Sequence, residues 1–144
     1  MPDDYFGYFG WGSVGRLDDG TLLTAASGMR MAHVCPTGRT TIFVSRDDGA
    51  TWSAPRVITD SPLDDRDAGV TPLGGRCVLV SWFVSDHRER WAKLEDAEQK
   101  AAWEPGLKWV TDENAQRFVG SWVRMSEDAG DTWGKPVRVP KSSI

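Results

Sequence analysis

Two cysteines, two histidines and two tyrosines are all that this 144-residue chain holds of three residue types that carry much of protein chemistry. Cys35 and Cys77 stand far apart, with no metal spacing around either, so reduced structural thiols are expected and neither a metal nor a cofactor is called for. No apolar run approaches the roughly 20 residues of a membrane-spanning helix. Lysine and arginine nowhere gather into a patch that would follow phosphates, and the formal net charge is −4. Neither nucleic acid nor a membrane is therefore an expected partner. The opening residues, MPDDYFGYFGWG, are acidic where a secretory signal is basic and then apolar. The expected compartment is the cytoplasm, with a secreted mature segment as the alternative.

What the chain does have is tryptophan, eight of them, with 15 glycines and eight prolines cutting the apolar runs short. That combination points to an all-β architecture rather than a helical bundle. Strand signals fall into two sets of four: 11–17, 22–26, 41–45 and 55–59, then 68–72, 78–83, 118–125 and 136–139. Turn residues separate them, LDDGT after the first strand and LGGR after the fifth. Between the third and fourth strand of each set stands one element, SRDDGATW (Ser45 to Trp52) and SEDAGDTW (Ser126 to Trp133), both reading Ser-x-Asp-x-Gly-x-Thr-Trp. The two serines are 81 positions apart, and the stretch 86–116 accounts for 31 of these. The remaining 50 match one propeller blade, whose repeats run at roughly 40 to 50 residues.

The stretch 86–116 reads as an inserted helix. In HRERWAKLEDAEQKAAW the less polar Trp91, Leu94, Ala97 and Ala101 recur at helical spacing, and EPG at Glu104 to Gly106 is expected to stop it. It is either a helix packed over a loop or a lid.

The repeated element resembles the Asp-box of the sialidase-like (BNR-repeat) β-propellers, and DDGTLLTAASGMR, Asp18 to Arg30, is similar to their first-blade segment. The resemblance covers nearly the whole chain apart from the insertion. It implies a single partial-propeller unit over 1–144: two four-stranded antiparallel blades, about 11–59 and 66–140, with the helical insertion in the second. The boxes themselves, Ser45, Asp47, Gly49, Thr51 and Trp52, then Ser126, Asp128, Gly130, Thr132 and Trp133, are read as scaffold. Glycine serves a strained turn, aspartate caps it, and tryptophan supplies buried area. The activity implied is glycoside hydrolysis of glycans, acidic sugars among them, by the complete propeller, with a carbohydrate as partner. The rival reading is a non-catalytic glycan- or protein-binding propeller. Two blades cannot surround an axis, so either the chain belongs to a longer protein or copies self-associate through open blade edges.

Connections in an antiparallel meander alternate between the two ends of the sheet. The boxes and the first turns therefore share one face, while 27–40, 59–67 and the insertion share the other. On that second face DDRD, Asp64 to Asp67, enters an innermost strand. Asp65 or Asp67 is the candidate acid/base, because neighbouring carboxylates have their pKa values pushed apart. His33 is the candidate assistant in proton transfer. Arg30, by resemblance, clamps an acidic sugar group through its bidentate fork. Arg66 and Asp64 complete the substrate-binding set, and Trp11 is placed to stack on a sugar ring. The resemblance also departs from the family here. YFGWGSV, Tyr8 to Val14, lacks the family's Arg-Ile-Pro, and 27–40 holds no Asp or Glu for its loop acid. Tyr5 and Tyr8 match no nucleophile.

Overall fold

The computed structural model describes residues 6–140, so Tyr5 lies outside it. Two four-stranded antiparallel sheets form, ordered as meanders. The first contains β1 (Tyr8–Arg16), β2 (Leu22–Arg30), β3 (Arg39–Ser45) and β4 (Arg56–Thr59). The second contains β5 (Asp64–Gly74), β6 (Cys77–Ser85), β7 (Gly120–Ser126) and β8 (Val137–Arg138). Both sets of four strands expected from the turn punctuation are present, and the inserted segment between β6 and β7 is helical.

β6 shows why the pattern was readable. In CVLVSWFVS every second residue, Val78, Val80, Trp82 and Val84, is buried, and the residues between are half-buried. That is the period-two alternation of a strand with one face on the core. This face looks toward the first sheet, where Leu23, Ala25, Ile42 and Val44 answer it. The two sheets come close enough that a side chain at Gly15 would place its Cβ 2.7 Å from Val70 and 2.8 Å from Pro72. Arg56 donates across the seam to the Gly130 carbonyl, and Arg124 to that of Ile58. The outward faces are different. Val14 and Val57 on the first sheet are exposed, and Leu79, Val123, Met125 and Val137 on the second line an open groove of about 510 Å³.

Both repeated elements fold as one closed network. Asp47 Oδ1 accepts from Ser45 Oγ at 2.8 Å and from the Thr51 N–H at 2.8 Å, and Oδ2 accepts from Thr51 Oγ1 at 2.6 Å. Asp128 repeats this with Ser126 and Thr132. In each turn the left-handed conformation falls on the glycine and the residue before it, Asp48 and Gly49 or Ala129 and Gly130. The hydrogen bonds hold both carboxyls below the usual carboxylate range, Thr51 and Thr132 contributing first. The expectation that both tryptophans are buried holds only in part. Trp133 packs partly on the core, whereas Trp52 is exposed and anchored by its Nε1–H to the Gly49 carbonyl at 3.2 Å.

The insertion is three helices where one was expected: α1 (Arg88–Ala92), α2 (Ala97–Leu107) and α3 (Asp112–Phe118). Asp96 divides the first two, because its side chain accepts from the N–H groups of Glu98 and Gln99 and so caps a new helix. EPG does not stop α2. Pro105 sits in its last turn, and the helix runs on to Leu107. The buried side chains of α2 are Trp103 and Leu107, while Ala97 and Ala101 of the expected apolar stripe are exposed. Trp91 and Leu94 do pack against the core. Gly106 passes so near the 31–38 loop that a Cβ there would lie 2.4 Å from Thr37.

Candidate functional site

Asp64, the first residue of β5, organises the site. Its carboxylate is fully buried and takes both prongs of the equally buried Arg30, at 2.7 Å and 2.9 Å. His87 Nε2 lies 2.8 Å from Oδ2, and Arg66 approaches the same oxygen at 3.6 Å. Three chain segments distant in sequence thus meet on one carboxylate: the end of β2, the start of β5 and the start of the insertion. Gly38 makes room for them, since a Cβ there would stand 2.0 Å from Arg30 Nη1 and 2.4 Å from Asp64 Oδ1.

Trp11 closes the cluster. Its ring centroid lies 5.5 Å from the guanidinium carbon of Arg30, 5.1 Å from that of Arg66 and 4.5 Å from the His33 ring. Cations over an indole face are attracted by the ring quadrupole. The backbone bends to reach this arrangement. Trp11, Met29 and Asp67 all have φ near +52°, which is uncommon outside glycine. The register slips next to Trp11 between Gly10 and Ser13, and next to Asp67 between Arg66 and Gly69. Bulges of this kind re-aim side chains at strand ends. Positive φ at one non-glycine residue on each of three neighbouring strands concentrates backbone strain around the cluster.

Beside the cluster an open groove of about 600 Å³ runs along α1, with Arg66 and His87 in its wall and Arg90 and Lys93 farther along. Two acids also line it, Asp86 and Glu89. Asp86 is already engaged by Arg88, which also bonds Asp112 at 2.8 Å. The groove therefore offers more free positive than negative charge.

The sequence candidates separate into three groups. Trp11, His33, Arg66 and Asp67 lie together, with His33 and Asp67 exposed and Asp67 Oδ1 3.5 Å from Arg66 Nε. Arg30 and Asp64 lie beneath them, fully buried. The carboxylate that Arg30 clamps is one of the chain's own, so its fork is occupied where a ligand clamp was expected. Asp65 goes elsewhere. Consecutive strand residues leave on opposite faces, and Asp65 turns to the seam between the sheets, where its Oδ2 accepts from the Ser61 N–H at 2.7 Å. Asp65 and Asp67 thus have different surroundings, because the bulge at Asp67 breaks the alternation that would have put them side by side. His87 was not among the sequence candidates, yet its Nε2 reaches Asp64; a lone histidine at the mouth of an insertion gives no signal of its buried partner. Trp109, 68% exposed between α2 and α3 on the same face, was likewise not singled out.

Burial pushes the Asp65 carboxyl up to about 7, against the Ser61 hydrogen bonds and with smaller contributions from Asp64 and Asp60. The sign follows from linkage. The folded chain holds this proton through a range where the unfolded chain has lost it, so the group's contribution is full below about pH 4 and is lost as pH rises through 7. Asp65→Asn is expected to gain stability relative to the parent between pH 4 and pH 8, by up to about 4 kcal/mol at three pKa units. Urea unfolding at the two pH values measures it, and a difference that stays constant with pH would refute the burial argument.

No protein-family model and no curated protein matches the sequence. Solved structures do match in fold. A crystal structure of a protein of unknown function from Dyadobacter fermentans superposes with a TM-score of 0.60 at 19% identity, covering 98% of this chain and 38% of that one. The sialidase of Trypanosoma rangeli in complex with sialic acid gives 0.53 at 20% identity, over 91% of this chain and 20% of the sialidase. A mutant of that sialidase displaying trans-sialidase activity gives 0.52 at 20% identity. The fold is that of a partial sialidase-like propeller, and the chain spans well under half the length of the proteins it resembles. Among the described residues no helix is long and apolar enough to cross a membrane.

Proposed function

We propose that the face carrying Trp11, His33, Arg66 and Asp67 binds an acidic glycan, and that the complete propeller is a sialidase-like glycoside hydrolase. One observation carries this reading: Arg66, half-buried against the Trp11 ring, opens with Arg90 and Lys93 into a single groove beside that aromatic surface. An indole suits the apolar face of a sugar, and a guanidinium suits its carboxylate. In this reading Arg66 replaces Arg30 as the group that meets the ligand, while Arg30 and Asp64 hold the floor. Asp67 is the exposed carboxyl placed for proton transfer, with His33 beside the stacking surface. The structural resemblance to a sialidase binding sialic acid supports the substrate class.

A second reading, glycan binding without turnover, draws on the position of Asp65. Canting that carboxyl into the seam leaves Asp67 without the paired acid that glycoside hydrolysis uses. Under either reading the open outer faces of both sheets are surfaces for neighbouring blades, whether from a longer chain or from further copies.

The test is titration of the 144-residue chain with sialyllactose and with lactose, followed by NMR. Saturable binding of sialyllactose, at least tenfold tighter than lactose and lost in Arg66→Ala, is the expected result. Equal response to the two sugars, or binding indifferent to Arg66→Ala in a variant with the parent's circular dichroism, overturns the acidic-glycan assignment. Turnover is a separate readout: Asp67→Asn in an assembled or longer form is expected to abolish release from a fluorogenic sialoside, and no release by the parent would leave binding as the function.

A further inference from the structure

The two sheets are copies of one unit, so each position at the seam between them has a counterpart on a face left open. Leu22 pairs with Ser45 in the first sheet and Val78 with Ser126 in the second, and both serines begin a repeated turn. Leu22 thus corresponds to Val78, Leu23 to Leu79, Val44 to Met125 and Ile58 to Val139. Burial divides these pairs by face. Leu23, Val44 and Ile58 are buried where the first sheet meets the second, whereas Leu79 is half-buried and Met125 and Val139 are exposed. The opposite face reverses the pattern. Val78 and Ala129 are buried in the seam, while their counterparts Leu22 and Asp48 are half-buried and exposed. Trp133 packs partly on the core and its counterpart Trp52 does not. Each sheet lacks, on one face, the neighbour that the other has.

The contacts of the seam define that missing neighbour. A Cβ at Gly130 would stand 2.6 Å from Leu23. Both residue types recur on the open faces, Leu79 for Leu23 and Gly49 for Gly130, which leaves room for the same close approach between two copies. The arginines that bond carbonyls across the seam, Arg56 to Gly130 and Arg124 to Ile58, have Val137 and Phe43 at the corresponding places. Repeating the seam would therefore set Val137 against the Gly49 turn and Phe43 against Val139, exchanging two polar latches for apolar contact. One contact is looser. Thr71 stands where Gly15 does, so the innermost strands of two copies stay farther apart than β1 and β5 within the chain.

We propose that a second copy of this chain covers the open face of the second sheet with the open face of its own first sheet, repeating the internal seam head to tail until a ring closes. The occupant is the chain itself because one copy carries both halves of the missing seam. Val14, Trp52 and Val57 are exposed on one half, and Met125, Val137 and Val139 on the other. Apolar surface gathered in this way marks an interaction face. A head-to-tail contact closes when its rotation allows, and propellers hold about 4 to 8 blades, so about two to four copies complete one. The proposal commits the open faces to one occupant and does not rest on what the face bearing Trp11 binds.

The experiment is sedimentation velocity of the 144-residue chain at about 1 to 100 μM, a range that spans micromolar affinity. The expected result is one discrete species at two, three or four times 15.9 kDa at the top of that range. Val14→Glu and Met125→Glu each place a charge on one of the two faces, at exposed positions where the fold tolerates it; circular dichroism verifies this. Each variant alone is expected to be monomeric. Their equal mixture is expected to form a dimer that grows no further, since one variant keeps the first-sheet face intact and the other the second-sheet face. A monomeric parent overturns the proposal, and so does a mass that rises without limit with concentration. Disruption by only one of the two variants, or a mixture that stays monomeric, shows that the two faces do not meet and also overturns it.

Discussion

Asp64→Leu is expected to destabilise the protein by about 5 kcal/mol, and Arg30→Met by about 3 kcal/mol, the two ends of the range for breaking a buried ion pair. The asymmetry comes from what each replacement leaves behind. Without Arg30, Asp64 keeps His87 at 2.8 Å and Arg66 at 3.6 Å, and a stranded carboxylate can also take up a proton. Without Asp64, a fully buried guanidinium remains, and arginine cannot neutralise itself. Arg30 Nε is already unpartnered among the described residues, so no slack exists on that side. A single domain is stable by only about 5 to 15 kcal/mol, which puts Asp64→Leu close to unfolding. The paired replacement Arg30→Met with Asp64→Leu is expected to recover most of the loss, because it buries two apolar side chains in place of two charges. Chemical denaturation of the three variants decides it. Arg30→Met costing more than Asp64→Leu, or a double variant no better than the worse single, would sink the account. The double variant should also lose acidic-glycan binding while staying folded, since Arg66 and His87 would no longer have the carboxylate that positions them.

Trp103→Ala is the second large effect, at about 3 to 5 kcal/mol for emptying a buried aromatic site. At this chain length that corresponds to roughly 10 to 15 °C in Tm. Trp103 is 2% exposed and is the large side chain by which α2 joins the core. Its ring centroid lies 6.0 Å from that of His87, so it also backs the histidine that reaches Asp64. Loss of the insertion alone would leave both sheets intact, because their strand ladders do not use it. The expected signature is therefore selective: amides in α1 and α2 lose hydrogen-exchange protection before those of β2 and β6. Uniform loss of protection would show instead that the insertion and the sheets unfold as one unit. Trp109→Ala is the natural control, since Trp109 is exposed and its removal opens no cavity.

The strands were legible because their signals are local. Alternation in CVLVSWFVS, the LDDGT and LGGR turns and the two copies of Ser-x-Asp-x-Gly-x-Thr-Trp each act within a few residues, and the copies defined two like sheets around an insertion. The same local logic correctly sent the loops bearing Arg30, Asp64 and His87 to one face. It failed where a single residue changed the rule. Asp96 capped a helix that the apolar spacing had drawn through it, and Pro105 was tolerated in a last turn rather than ending α2.

The candidate site was legible as a list of residues and not as an arrangement. Sequence by itself determined the two four-stranded meanders, the place of the repeated turns between their third and fourth strands and the face on which charged residues collect, since these follow from short-range periodicity and connection parity. Which of those charges meet was decided only by the tertiary structure. The bulges at Trp11 and Asp67 reset the direction of the side chains that follow, and the packing of the sheets left Asp64 enclosed with Arg30 and His87 while turning Asp65 into the seam. Neighbouring aspartates thus acquired opposite environments, because burial and charge pairing depend on what the rest of the chain places around them.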